Sequence, residues 1–268
     1  MIQLSSILTK KSVDAASGVV LLSRDDGISE LMSEISKKIE SDNEIPVADI
    51  LKKATRRLVF RIQVKGYGSL IVKSFPLTKF RHRLKHKKYA YNEALNLLMA
   101  SGRGLKVPKV FAYCFKKSIG LTRYNAVCME DILGVSLHNL LIDTHSDIEK
   151  MLILQKITGV LKSFYLAGCN HIDLKGDGII FRDNEKDSPH VIDFQYCTFH
   201  DVGSYQIMAA QAGHLCRDLV ANKCITRSVA YEWFKSIFEN DDAKQCETAT
   251  TFDKFLNNRV SIKERMSM

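Results

Sequence analysis

Proline is scarce, four residues in 268. No Pro- or Ser-rich stretch interrupts the chain, so no linker separates independently folded halves. Internal repeats and low-complexity segments are absent as well. No run approaches the roughly 20 apolar residues of a membrane span. The longest early one, Gly18-Val-Val-Leu-Leu22, is too short for a secretory h-region and lacks a small-residue cleavage site. The seven cysteines (114, 128, 169, 197, 216, 224 and 246) are odd in number, scattered and without a Cys-x-x-Cys pair. They exclude a disulfide or zinc framework and read as reduced, mostly buried thiols of a cytoplasmic protein. What remains is ordinary for a globular chain with a sizeable core: 46% hydrophobic and 26% charged residues.

The charge is less ordinary. The chain carries a net +9, and Lys79-Phe-Arg-His-Arg-Leu-Lys-His-Lys-Lys88 holds six Lys/Arg and two His in ten residues. Such a run suits an anionic partner: a phosphorylated glycolipid, an acidic membrane surface or nucleic acid. Nucleic acid is not expected, because no recognised binding motif accompanies the patch. The competing reading is a solvated connection between a strand and a helix. If the segment is helical, Phe80 and Leu84, four residues apart, add a shallow apolar contact.

Chemistry concentrates in His171-Ile-Asp-Leu-Lys-Gly-Asp-Gly-Ile-Ile-Phe181 and Val191-Ile-Asp-Phe194. A polar turn carrying Asp173 runs into a short apolar strand, and a second apolar strand delivers Asp193. A kinase-type phosphoryl-transfer site presents its acids this way, one facing the attacking hydroxyl and one holding the metal that bridges the nucleotide phosphates. Asp173, Asp177 and Gly178 also match an EF-hand loop, but Lys175 and Asn184 stand where that loop needs ligands. A plain surface hairpin is the bland alternative.

Two further parts stand upstream in the right order. Leu58–Val64 and Ser69–Phe75 alternate as strands around Lys65-Gly-Tyr-Gly68, which predicts a hairpin ending near Lys73. Residues 87–100 carry Ala90, Ala94, Leu97 and Leu98 at helical spacing with Glu93 in the early turns. A strand lysine followed by a helical glutamate is the arrangement of the kinase Lys–Glu pair. Taken singly, each is more often a solvated side chain.

Together these pieces resemble the bacterial lipopolysaccharide kinases, which phosphorylate heptose or Kdo sugars of the inner core and have a protein-kinase-like fold. The resembling stretch runs from about Thr55 to Leu219. It rests on Thr55-Arg-Arg-Leu58, Leu70-Ile-Val-Lys73, Asn92-Glu93-Ala94, Val107-Pro108-Lys109-Val110, Ala167–Asp173, Val191-Ile-Asp-Phe194 and Arg217-Asp218-Leu219. The resemblance implies an α+β, two-lobed fold and ATP and Mg2+ as cofactors. Lys73 would contact phosphate, Glu93 would orient it, and Asp173 would be the base. Asp193 would be the metal ligand, with Asp177 a possible second one, and Asp218 would tie down the catalytic loop. It also implies a lipopolysaccharide or other anionic glycolipid acceptor, met in the cytoplasm at the inner-membrane surface.

The expected organisation is an N-terminal extension over 1–44, an N-lobe of antiparallel sheet with one helix over 45–130, and a mainly helical C-lobe over 131–268. Residues 125–130 read as the last N-lobe strand and 131–134 as the hinge, so Met129, Glu130 and Ile132 are the expected adenine contacts. Helices are expected over 147–167, 205–221 and 228–239, with a polar, peripheral tail after Asn240 pinned by Phe252, Phe255 and Leu256. Two departures stand out. Kinases place a metal-binding Asn five residues after the catalytic Asp, where this chain has Gly178. No glycine-rich loop precedes Leu58; the turn reads Lys52-Lys-Ala-Thr-Arg-Arg57. A kinase for another small-molecule or protein hydroxyl, and a pseudokinase that binds without catalysis, therefore stand beside the leading reading.

Overall fold

Leu58–Val64 and Ser69–Phe75 form the hairpin that their alternation predicts, and a sheet grows on both sides of it. A computed structural model describes Leu4, Leu8 and residues 10–14, 19–40, 49–54, 57–77, 79–183, 185–238 and 241–268. Thr55 and Arg56 of the quoted Thr55–Leu58 stretch, Gly18 of the early apolar run and Asn184 lie outside the described residues. The chain divides into two compact units, Met1–Met99 with Pro108–Asp131, and Ala100–Val107 with Ile132–Met268.

The first unit contains β1 (Lys10–Asp14), β2 (Val19–Ser23), α1 (Asp26–Glu40), β3 (Asp49–Ala54), β4 (Arg57–Val64), β5 (Gly68–Pro76), α2 (Phe80–Lys85), α3 (Tyr89–Gly102), β6 (Val110–Ser118) and β7 (Leu121–Glu130). Its seven strands pair antiparallel in the order β1-β2-β6-β7-β5-β4-β3. Alternate residues of the central strands face opposite sides of a sheet. Phe60, Ile62, Leu70, Val72 and Cys128 join Ile28, Met32 and Ile35 of α1 in one buried cluster. Each such side chain contributes roughly 1.5–3 kcal/mol on burial. The other parity meets α3, where Phe75 packs edge-on against Tyr89 and Tyr113 against Tyr91. The turn glycines Gly66 (φ 87°) and Gly68 (φ 77°) adopt the left-handed backbone that the short connection requires.

The described residues of the expected N-terminal extension, 1–44, fall in the first unit. They supply β1, β2 and α1, because Val19 and Leu21 alternate inward on β2 and Ile28, Met32 and Ile35 line one helical face. Lys52–Ala54, read from the sequence as part of a turn, belong to the edge strand β3, every residue of which is exposed.

The second unit contains β8 (Val135–Ser136), α4 (Leu137–Ile142), α5 (Asp147–Leu166), β9 (Cys169–His171), β10 (Ile179–Arg182), β11 (Glu185–Val191), β12 (Cys197–Phe199), α6 (Tyr205–Ala221), α7 (Arg227–Ile237), α8 (Asp242–Asn257) and α9 (Ile262–Met266). Every helix here starts at an oxygen-bearing cap: Ser136, Ser146, Ser204, Thr226, Asp241 and Ser261 each accept from the amide three residues on. Such a cap is worth about 1 kcal/mol. On α5, Leu154, Ile157, Leu161 and Phe164 are buried while Ile148 and Leu152 are exposed, so the core-facing stripe is narrower than the sequence spacing predicts. Gly168 ends this helix at φ 58°, and a Cβ there would stand 2.1 Å from the His200 carbonyl oxygen. Trp233 of α7 donates to Thr158 Oγ1 of α5 at 2.9 Å in the core. Phe252, Phe255 and Leu256 are buried on α8, so the segment after Asn240 is part of the packed unit. All seven cysteines are free, and only Cys246 is exposed. Among the described residues no helix is long and apolar enough to cross a membrane.

Candidate active site

Lys73 sits on β5 between Val59 of β4 and Val127 of β7, so the ladder fixes its backbone from both sides. Its ammonium donates to Glu93 Oε1 on α3. The two side chains are 5% and 0% exposed. Desolvating two charges costs several kcal/mol per ion, so a dry pair is poor evidence of a stabilising device. It holds an ammonium at one fixed spot.

The groups expected around the adenine lie at the end of β7 and just beyond. Met129 is buried opposite Ile71. The Glu130 amide donates to the Lys109 carbonyl at 2.8 Å, and its carboxylate accepts from the Lys109 amide at 3.1 Å. Glu130 is thus committed to Lys109 through both groups. Asp131 Oδ2 accepts from Arg61 Nε and Ser69 Oγ, each at 2.6 Å. Ile132, the first residue of the second unit after this point, is buried.

The acids of the second unit lie on two connections that its small strands bring together. β9 pairs with β12, Cys197 opposite His171, and β10 pairs with β11, Ile179 opposite Val191. Residues 172–178 and 192–196 are therefore neighbours. They share backbone bonds, Ile172 N to Tyr196 O at 3.1 Å and Ile192 N to Gly178 O at 2.9 Å. The first connection carries Asp173 and Asp177, the second Asp193.

His171 Nε2 lies 3.1 Å from the Ile192 carbonyl, which can only accept, so this nitrogen carries the hydrogen. The ring stacks on Phe164 and meets Phe194 edge-on at 4.8 Å. Burial pushes its pKa down, with Ile192 and the charges of Asp193 and Asp173 opposing. Burial thus favours the neutral ring, packed between Phe164 and Phe194. Asp193 occupies the left-handed region, φ 66° and ψ 46°, at the start of a 3-10 turn over Phe194–Tyr196. Aspartate tolerates that region better than most residues, yet the conformation costs energy that the surroundings must offset. Fully buried Phe194 is the nearest anchor in sequence.

Asp173 is one-third exposed at its side chain. Its carboxyl is held well below the usual carboxylate range, first by His214, then by Lys175 against the opposing effect of burial. His214 Nε2 is 3.5 Å away, Lys175 Nζ 3.1 Å and Arg265 Nη1 3.7 Å. Asp173 is an ionised acceptor at neutral pH. Asp177 is exposed, with His138 Nδ1 at 3.0 Å. Asp218 Oδ2 of α6 accepts from the Gly176 amide at 3.0 Å. A Cβ at Gly176 would meet Leu219 at 2.9 Å, so glycine is what lets the turn seat on α6.

Among the described residues, no group of three or more His, Cys, Asp or Glu gathers as a metal cage. Mg2+ asks for less: one or two carboxylates, with water and substrate phosphates completing its octahedron. The oxygen donors Asp193 and Asp177 fit that demand. Sequence reasoning did not find Lys175, His138, His214 or Arg265 as neighbours of the acids. His214 had a signal, since it stands one helical turn before Asp218 on α6 and so shares its face. Arg265 had none.

No protein-family model matches the sequence, and no curated protein matches it. The fold does have a solved counterpart, WaaP in complex with acyl carrier protein. The match covers 88% of this chain and 98% of that one at 14% identity, with a TM-score of 0.57. At that identity the likeness is one of fold. The antiparallel sheet of the first unit, its helices and the mainly helical second unit make this a protein-kinase-like α+β chain.

Proposed function

We propose that the chain is an ATP- and magnesium-dependent kinase that phosphorylates a sugar hydroxyl, of heptose or Kdo, in the lipopolysaccharide inner core. The observation that carries the reading is the buried Lys73–Glu93 pair, since an ion pair this dry is hard to explain as a source of stability. Lys73 meets nucleotide phosphate oxygens, and Glu93 keeps it in place. Asp173 orients the acceptor hydroxyl and takes its proton late, as a loose phosphoryl-transfer transition state requires. Lys175, beside Asp173, supplies positive charge where a phosphoryl group's oxygens would lie. Asp193, with Asp177, would hold Mg2+, which when bound neutralises charge on the phosphates. Met129, Glu130 and Ile132 are the proposed adenine neighbours.

The choice of acceptor is supported by the motif resemblance, by the fold shared with WaaP, and by the basic segment. Phe80 and Leu84 fall on successive turns of α2, 62% and 49% exposed. Lys79, Arg81, Lys87 and Lys88 are exposed around them. Cations flanking shallow apolar groups fit an anionic membrane or glycolipid surface. Arg83 and His86 do not belong to that surface: Arg83 Nε donates to the Leu77 carbonyl at 2.9 Å, and His86 is buried beside Tyr89.

The test is nucleotide binding with and without magnesium, followed by transfer of labelled γ-phosphate to dephosphorylated core oligosaccharide. Magnesium-dependent binding with transfer to the sugar is the expected result. Transfer only to another alcohol would move the acceptor assignment. Binding without any transfer would favour a pseudokinase, the reading that Gly178 motivates.

A further inference from the structure

Of all Lys, Arg, Asp and Glu side chains among the described residues, three belong to buried residues: Lys73, Glu93 and Arg265. The first two are each other's partner. The third stands on α9, a five-residue helix whose Ile262, Lys263, Glu264 and Met266 are all exposed. A helix this short has little apolar surface to bury, and what it inserts into the unit is a guanidinium.

That guanidinium reaches the loop that carries Asp173. Arg265 Nη1 donates to the Ile172 carbonyl, lies 2.9 Å from His214 Nε2 and 3.7 Å from Asp173 Oδ1. In return the Arg265 carbonyl accepts from Asn170 Nδ2 at 3.1 Å. The segment 170–173 is therefore gripped at three points by one residue.

The contact with His214 has a further consequence. Arginine offers donors only, so a 2.9 Å approach is a hydrogen bond only when Nε2 carries a lone pair. Asp173 Oδ1, 3.5 Å from the same nitrogen, is an acceptor and would need Nε2 to carry hydrogen. One nitrogen cannot serve both. Protonated, His214 would donate to Asp173 and face Arg265 as one cation faces another. A neutral ring has two choices, because Arg217 Nη2 stands 3.4 Å from Nδ1. With hydrogen on Nε2 it accepts from Arg217 and donates toward Asp173 at 3.5 Å, but sets an N–H against the Arg265 donor. With hydrogen on Nδ1 it accepts from Arg265 at 2.9 Å, the shortest of these contacts, and leaves Asp173 Oδ1 without a histidine donor. The neutral ring is also what burial and the flanking Arg265 and Arg217 favour.

We infer that Arg265 is a positioning residue for Asp173: it fixes the backbone at Ile172 and holds the His214 ring as an acceptor, so that the imidazole does not take up Asp173 Oδ1 as a hydrogen-bond donor. Its kinetic consequence rests on the kinase reading, while its structural content does not.

Two measurements on the full chain separate these. With 15N-labelled histidine, NMR should show His214 Nε2 unprotonated in the wild type and shifted toward the protonated form in Arg265→Met. A wild-type ring already bearing its hydrogen on Nε2, or one indifferent to Arg265→Met, overturns the inference whether or not the protein transfers phosphate. In the transfer assay, Arg265→Met should lower kcat by up to about 10²-fold with KM for ATP unchanged, the scale of a misplaced reacting group. Arg265→Lys keeps the charge but lacks the fork that spans Ile172 and His214, and should recover only part of the rate. Full activity in Arg265→Met also overturns the inference. An inactive wild type whose His214 behaves as expected would overturn the kinase reading instead.

Discussion

Replacing Lys73 with methionine keeps most of the side-chain volume on β5 and removes only the charge. Glu93, fully inaccessible on α3, then faces a sulfur where it had an ammonium. Removing one member of a buried pair costs about 3–5 kcal/mol, because the remaining charge stays desolvated. At roughly 2–4 °C per kcal/mol for chains near this size, the transition that unfolds the sheet unit should fall by roughly 6–20 °C. Lowering the pH should narrow the gap, since an isolated buried carboxyl escapes its penalty by binding a proton. Lys73→Met/Glu93→Leu removes both charges and should return to wild-type stability or exceed it. Nucleotide binding should be lost in the single and double variants alike, which separates the phosphate role from the fold. The assay is urea and thermal unfolding of the three proteins, alongside calorimetric titration with Mg-ATP. A Lys73→Met protein as stable as wild type would refute the reasoning, because it would mean that the pair is hydrated in solution.

Asp173→Asn should keep the fold and ATP affinity while losing about 10²–10⁴-fold in transfer rate, measured by labelled phosphate. A carboxyl whose pKa is lowered on folding contributes stability above its unfolded value, 3.8 here, and loses it as pH falls through the folded one. The stability difference between wild type and Asp173→Asn should therefore shrink on acidification below about pH 4, as urea titrations across pH would show. Gly178→Asn has room, since a Cβ there meets only the Ile192 carbonyl and side chain, at 3.8 and 4.0 Å. It should raise metal affinity in Mg-ATP titrations if Asp177 is a weak second ligand, and leave it unchanged if Asp177 already suffices. Reversing Lys79, Arg81, Lys87 and Lys88 to Glu should abolish salt-sensitive association with anionic vesicles, each cation contributing about 1 kcal/mol. Vesicle flotation that ignores both the charges and the salt would assign the segment to solvent.

The hairpin bearing Lys73 was legible because its residues alternate, one face toward a core, and because glycine marks the turn. Helices α5 and α6 were legible for the same kind of reason, an apolar stripe closed by Gly168 in one case and a long periodic run in the other. β3 was not, because an edge strand with every side chain exposed has no face to encode. α1 escaped because three apolar residues in a polar stretch declare a helix only once a sheet is there to receive them. The positions of Asp173 and Asp193 on neighbouring turns followed from two short apolar strands. Arg265 was out of reach, since its partner Ile172 lies 93 residues away and no local pattern marks such a contact.

The two backbone bonds that tie residues 172–178 to 192–196 make Asp173 and Asp193 members of one mechanical body. Neither turn can shift without drawing the other, so substitutions in one are felt in both. Paired changes, such as one at Gly178 with one at Phe194, should fail to add in a double-mutant cycle, with coupling of about 0.5–3 kcal/mol expected for residues that share a network. Adaptation of this chain to a new acceptor would then proceed most readily through residues outside those turns, where a change costs only itself.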